Sequence, residues 1–256
     1  MTTWRQRGNL WSITPDRPIG VIEFIGGSYL AATSQLTYRL LLEELVSAGF
    51  IIRAWSYLPT FDHQTQARSA LYCFSHEQKR SGSYQNQTNQ LFIRLGHSLG
   101  CKLHLLAPDG GCNTNALVAL SFNNFSVSQS IPFLKILSTQ LGLITEFSPC
   151  PNETFRLISK YYKTPSNLLV QFTNDQIDQS YELLKVLESR SNDSSEILLQ
   201  EGNHLTPANM GGMGEMLGVW SNQNMTVTPD VHRLAQNIVN WLESNATLTN
   251  SQSIYD

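Results

Sequence analysis

The sequence has no apolar run approaching the roughly 18 to 20 residues that a helix needs to cross a bilayer, which excludes a membrane span of that kind. It also lacks any block of like charge. Lys and Arg number 17 against 20 Asp and Glu, the formal net charge is -3 over 256 residues, and only 14% of residues are charged. With no basic stripe to displace counterions, nucleic acid is not an expected partner. Cysteine is sparse. Cys73, Cys101, Cys112 and Cys150 form no C-x-x-C pair, a pattern of free thiols in a reducing compartment rather than of a disulfide framework. The opening residues, MTTWRQRGNLW, bring charge with no apolar stretch behind them, so no secretory leader is expected and a cytoplasmic location is. Triplets such as Asn86-Gln87-Thr88 and Asn245-Ala246-Thr247 would then never meet the glycosylation machinery. A P-loop, an HExxH and a zinc-like Cys/His spacing are all missing, and the glycines past residue 210 complete no G-x-G-x-x-G, so neither cofactor nor metal is expected.

What is present is an alternation. Hydrophobic residues make up 41% of the chain, enough for one large core. Short apolar runs at 19–27, 50–57, 90–95, 116–122, 167–172 and 196–200 read as buried strands. Between them lie helical patterns, among them QLTYRLLLEELVSAG with Leu36, Leu40, Leu41, Leu45 and Val46 at helical spacing and Gly49 as a stop. The last helix is opened by Thr228-Pro229-Asp230. The expected class is α/β, a mainly parallel sheet with helices on both faces, forming a single domain over 1–256. Residues 126–166 exceed a simple crossover, and SIPFLKILSTQLGL and CPNETFRLISKYY within them predict a small helical cap over the C-terminal edge of the sheet.

The stretch RLGHSLGCKLHLL, residues 94–106, carries the chemistry. Gly96-His97-Ser98-Leu99-Gly100 is a G-x-S-x-G between an apolar strand and a helix, the context of a nucleophile elbow. Glycine is needed at both flanks because neighbouring backbone comes too close for a Cβ. An elbow expects an acid and then a histidine, each just past a later strand. Asp175 follows NLLVQF and His204 follows EILLQ, so the expected catalytic set is Ser98, Asp175 and His204. Asp178 is the competing acid, although its place directly before QSYELLKVL suits a helix cap. His97 is expected to pack beside the elbow, and His63, His76, His104 and His232 to pack or lie on the surface. An oxyanion hole would take the backbone N–H of Leu99 and a second from FIGGSY, at Gly27 or Ser28. Beyond His204, Met210, Met213, Met216 and Trp220 stand among glycines and could form an adaptable apolar wall for an acyl chain, or merely pack a loop.

The blocks FIGGSY, GHSLGCKLHLL, LSFNNFSVSQSIPF, DQIDQS and EGNHLTP together resemble those of a domain-of-unknown-function family found in cyanobacteria and chloroplasts, itself similar to α/β-hydrolases. The likeness runs from about residue 15 to 243. It implies an α/β-hydrolase-like fold and the triad positions Ser98, Asp175 and His204, and supplies no substrate. One departure is Ile25, which stands where an "HG" oxyanion loop of the broader hydrolases has histidine, so the second oxyanion donor stays open. The function expected is a serine hydrolase of an ester or thioester with a hydrophobic acyl group, a small-molecule substrate. Acyl transfer by the same triad, and a catalytically silent scaffold that binds a small molecule or a protein, are the alternatives. Oligomeric state is not legible.

Overall fold

Six of the apolar runs become the parallel body of one sheet. The computed structural model describes residues 3–81, 90–126, 146–208 and 227–252. Its strands are β1 (Arg5–Arg7), β2 (Leu10–Ile13), β3 (Gly20–Ile25), β4 (Phe50–Trp55), β5 (Leu91–His97), β6 (Ala116–Leu120), β7 (Ser166–Phe172) and β8 (Ser194–Gln200). They form an 8-stranded sheet in the order β1-β2-β4-β3-β5-β6-β7-β8. From β4 to β8 every pairing is parallel, whereas β1 and β2 join as an antiparallel hairpin on the β4 edge. β1 has no apolar signature, since Arg5, Gln6 and Arg7 are all exposed, whereas β2 buries Leu10 and Ile13.

The described helices are α1 (Ser34–Thr37), α2 (Arg39–Ser47), α3 (His63–Arg80), α4 (Leu99–Leu105), α5 (Pro151–Tyr161), α6 (Ser180–Glu188) and α7 (Val227–Gln252). Successive residues of a strand point to opposite faces, so a strand buried on both sides needs apolar residues throughout. β6 shows this residue by residue. Val118 and Leu120 join Leu41, Leu42 and Leu45 of α2 and Val231, Leu234 and Ile238 of α7. Leu117 and Ala119 join Cys101 and Leu105 of α4, Ile158 of α5 and Leu183 and Leu187 of α6. The site therefore grows from the ends of strands whose positions are fixed from both faces.

Three local segments take a form that packing or capping decides. The helix expected over 35–49 is two helices broken at Tyr38, whose fully buried ring turns inward, while Leu36 of the first piece is exposed. The polar stretch from His63 is a full helix of 18 residues, capped by Asp62, which accepts from the Thr65 N–H at 2.9 Å. Of the segment read as a cap, residues 127–145 lie outside the described residues. Its later part, α5, begins at Pro151 as expected but belongs to the helical layer on the sheet, with Ile158 buried against β7 and α6. The four cysteines are unpaired.

Three histidines are buried as neutral rings. Burial pushes His63 and His97 down to about 3 and His104 well below its ordinary 6.5, with the cations Lys102 and Arg94 adding to it at His63 and His104. An unfolded chain binds protons at these rings below about pH 6.5 and the native chain does not, so stability falls as pH drops from there toward 3. Burial acts oppositely on Asp178, raised to about 6, and on Glu23, also raised. Three rings against two carboxyls leave an excess of at least one proton in the unfolded state near pH 5, a slope of about 1.4 kcal/mol per pH unit. Urea melts are expected to lose midpoint steadily between pH 6.5 and 5, and an unchanged midpoint would contradict neutral buried rings.

Candidate active site

β5 runs straight into a sharp turn at Ser98, whose φ of 55° and ψ of -119° lie where L-residues other than glycine are strained. The turn is held because the Ser98 N–H donates to the Leu120 carbonyl at 2.9 Å and the Cys101 N–H to the Ser98 carbonyl at 3.1 Å. Its flanking glycines are required by contact. A Cβ on Gly96 would lie 2.6 Å from the backbone of Cys101, and one on Gly100 would lie 1.9 Å from the Ile25 carbonyl oxygen.

Asp175 sits in the loop after β7 and His204 in the loop after β8. The two loops are laced together by main-chain bonds, Thr173 N–H to the Gln200 carbonyl and Asn174 N–H to the Gly202 carbonyl, both at 2.9 Å. The His204 turn is closed by the Thr206 hydroxyl, which accepts from the Asn203 N–H at 2.9 Å. These frames bring the expected three side chains into line. His204 Nδ1 lies 2.8 Å from Asp175 Oδ2, and His204 Nε2 lies 3.1 Å from Ser98 Oγ. Burial tends to raise the Asp175 carboxyl, but the hydrogen bond and charge of His204, with a lesser bond from the Ile177 N–H, outweigh it and leave the group below its ordinary value. An ionised Asp175 accepts only, so Nδ1 carries the imidazole proton and Nε2 keeps the lone pair facing Ser98. Asp178 is placed differently. Its carboxylate accepts from the Ser180 N–H at 2.7 Å and the Ser180 hydroxyl at 3.1 Å, closing a tight turn one residue ahead of the position expected of a cap, since the N-cap of α6 is Gln179.

The residue type of Asn123 gives no sign of a role, yet its amide stands on Ser98. Asn123 Nδ2 lies 2.8 Å from Ser98 Oγ. Since the Ser98 hydroxyl proton points to His204 Nε2, the amide must donate. An uncharged side chain just past β6 carries no signal beyond that position, which is why it escapes a search for acids and bases.

The oxyanion loop departs from expectation at one residue. Gly27 does not offer its N–H to the site, because it donates inward to the buried Tyr38 hydroxyl at 2.8 Å. Leu99 heads α4 and Ser28 heads the 3-10 turn Ser28–Thr33, and the first N–H groups of a helix have no partner within it. Met210, Met213, Met216 and Trp220 lie outside the described residues. His97 packs beneath the elbow as expected, fully buried, with Nδ1 2.8 Å from Tyr38 Oη and Nε2 2.8 Å from the His204 carbonyl oxygen. His63 stacks on Phe147, with centroids 4.5 Å apart, and His104 lies against Phe74 at 6.1 Å. His232 pairs with Glu44 at 3.0 Å. Among the described residues no group of His, Cys, Asp and Glu is arranged to hold a metal, and no helix is long and apolar enough to cross a membrane.

This architecture is that of known hydrolases. The chain is similar to the monoacylglycerol lipase of Paleococcus ferrophilus, with 17% identity and a TM-score of 0.57 over 92% of this chain and 99% of that one. It is similar to FphF, a fluorophosphonate-binding serine hydrolase of Staphylococcus aureus, with 12% identity and a TM-score of 0.56 over 90% and 97% of the two chains. A third is DcsB, solved with a substrate analogue, with 12% identity and a TM-score of 0.58 over 96% and 99%. At these identities the likeness shows the fold, an α/β-hydrolase-like one. No curated protein matches. Residues 3–244 match the family described as protein of unknown function (DUF1350), and the chain, with its elbow serine and hydrolase-like sheet, belongs to that family.

Proposed function

We propose that the protein is a serine hydrolase of acyl esters or thioesters, with Ser98 as nucleophile, His204 as general base and acid, and Asp175 as the group that orients the base. The observation that carries this reading is the unbroken line Asp175 Oδ2, His204 Nδ1, His204 Nε2, Ser98 Oγ, with steps of 2.8 and 3.1 Å. As Ser98 Oγ bonds to the acyl carbon, its proton passes to His204 Nε2 and the carbonyl oxygen becomes an oxyanion. The N–H groups of Leu99 and Ser28 are the donors available to that oxyanion, and each such donor is worth about 10² to 10³ in rate. Collapse of the intermediate expels the alcohol or thiol with the proton from His204, and a water then releases the acid by the same steps in reverse. An apolar acyl group suits the loops that carry these residues. Tyr29, next to Ser28, and Ile177, just past Asp175, are 72% and 43% exposed.

A fluorophosphonate probe tests the reading directly. Wild-type protein is expected to take one label and Ser98→Ala none, with a series of acyl esters and thioesters of graded length then defining the substrate. A folded wild-type protein that takes no label would refute an activated Ser98.

A further inference from the structure

Behind the triad lies a second hydrogen-bonded line that the catalytic steps do not use. Tyr38 and His97 are fully buried, with ring centroids 5.6 Å apart. Tyr38 Oη receives the Gly27 N–H at 2.8 Å and lies 2.8 Å from His97 Nδ1, while His97 Nε2 lies 2.8 Å from the His204 carbonyl oxygen. The roles along this line are fixed by its ends. A carbonyl only accepts, so His97 Nε2 carries a proton, and a neutral ring then has a bare Nδ1 to which the Tyr38 hydroxyl donates. The phenol is left with a lone pair for Gly27. Burial keeps His97 neutral, down to about 3, and holds the Tyr38 proton in place, raising that group well above its ordinary value.

The line explains sequence features that the triad leaves unexplained. A Cβ on Gly26 would lie 2.6 Å from the Tyr38 ring, and one on Gly27 would lie 3.0 Å from His97 Nδ1, so the glycine pair makes room for these two rings. The helix break at Tyr38 brings the phenol inward to reach them. We infer that Tyr38 and His97 are positioning residues, which lock the loop after β3, carrying the oxyanion donor Ser28, to the main chain carrying the base His204. Their part in catalysis rests on the serine-hydrolase reading; their hydrogen bonds do not. His97 is needed here as a ring with two opposed nitrogens, one accepting and one donating, and neither transfers a proton to substrate.

Tyr38→Phe is the discriminating variant, since it keeps the packed ring and removes only the hydroxyl. Displacements near 1 Å at a site cost on the order of 10²-fold, so Ser98 phosphonylation and ester kcat are expected to fall about 10- to 100-fold with KM unchanged. His97→Gln, whose amide can donate toward the His204 carbonyl, should keep more activity than His97→Leu. Nitrogen-15 spectra of the wild-type protein should show His97 protonated at Nε2 and bare at Nδ1, and the Gly27 amide should lose exchange protection in Tyr38→Phe. Wild-type rates in Tyr38→Phe, or a His97 proton found on Nδ1, would overturn the proposal. Should the wild-type protein take no fluorophosphonate label, the serine-hydrolase reading fails by itself. The His97 tautomer and Gly27 protection then still decide whether the lock exists.

Discussion

Asp175→Asn is expected to lower kcat on a chromogenic acyl ester by about 10⁴-fold while the protein stays folded, the scale of effect when the orienting acid of a triad becomes an amide. The cause is the tautomer of His204. Asp175 accepts the Nδ1 proton at 2.8 Å, and its side chain is 0% exposed, so water cannot take over the task. An asparagine can present its amide N–H to Nδ1 instead, which stabilises the ring with its proton on Nε2. The nitrogen facing Ser98 Oγ then has no lone pair to receive a proton. Because the loop itself is tied by the main-chain bond from Asn174 to Gly202, the geometry should survive the change. The comparison needs kcat for both proteins and circular dichroism to show equal folding. Activity within tenfold of wild type would mean that Asp175 does not orient the base. Asp178→Asn is the matched control; it should cost stability at the start of α6 and leave the chemistry nearly intact.

Gly100→Ala should abolish the fold or lower its melting temperature by roughly 10 °C or more. The added Cβ would stand 1.9 Å from the Ile25 carbonyl oxygen and 2.6 Å from the Ile25 carbonyl carbon. These are backbone atoms at the end of β3, so no side chain can swing aside. Either α4 lifts from the sheet, exposing Leu99, Cys101 and Leu103, or the end of β3 shifts with its oxyanion loop. Losses above about 4 kcal/mol are expected of so direct a collision, and each kcal/mol moves the midpoint of a protein this size by about 2 to 4 °C. Thermal unfolding of the purified variant, or its failure to accumulate as soluble protein, is the measurement. A melting temperature equal to wild type would show that the helix and strand can separate freely.

Much of this architecture is legible in the chain because it depends on local composition. The six parallel strands are continuous apolar runs, as strands covered on both faces must be, and the glycines at 96 and 100 announce a turn that only they permit. The meeting of Asp175 and His204 with Ser98 could be anticipated because an elbow dictates chain order and each residue lies just past a strand end. What escaped has no local signal. Strand β1 is held by pairing with β2 rather than by burial of its own residues, all three of which are exposed charged or polar side chains. Tyr38 sits in a pattern that continues as one helix by periodicity, and its break is set by partners at Gly27 and His97. The same partnership decides the oxyanion loop. Gly27 and Ser28 look equivalent in sequence, and only the distant phenol takes one N–H out of play.

The order of the strands has a further bearing on how the site holds together. Ser98 and Asn123 follow β5 and β6 in the interior of the sheet, whereas Asp175 and His204 follow β7 and β8, the last pair at its rim. Ser98 thus follows a strand that has a neighbour on each side. His204 belongs to a margin where Leu199 is 60% exposed and one strand of the pair has a neighbour on a single side. Local opening of such margins costs less free energy than opening an interior. On the serine-hydrolase reading proposed above, faster amide exchange at β8 than at β5 would mark the alignment of His204 as less stable than the seat of Ser98.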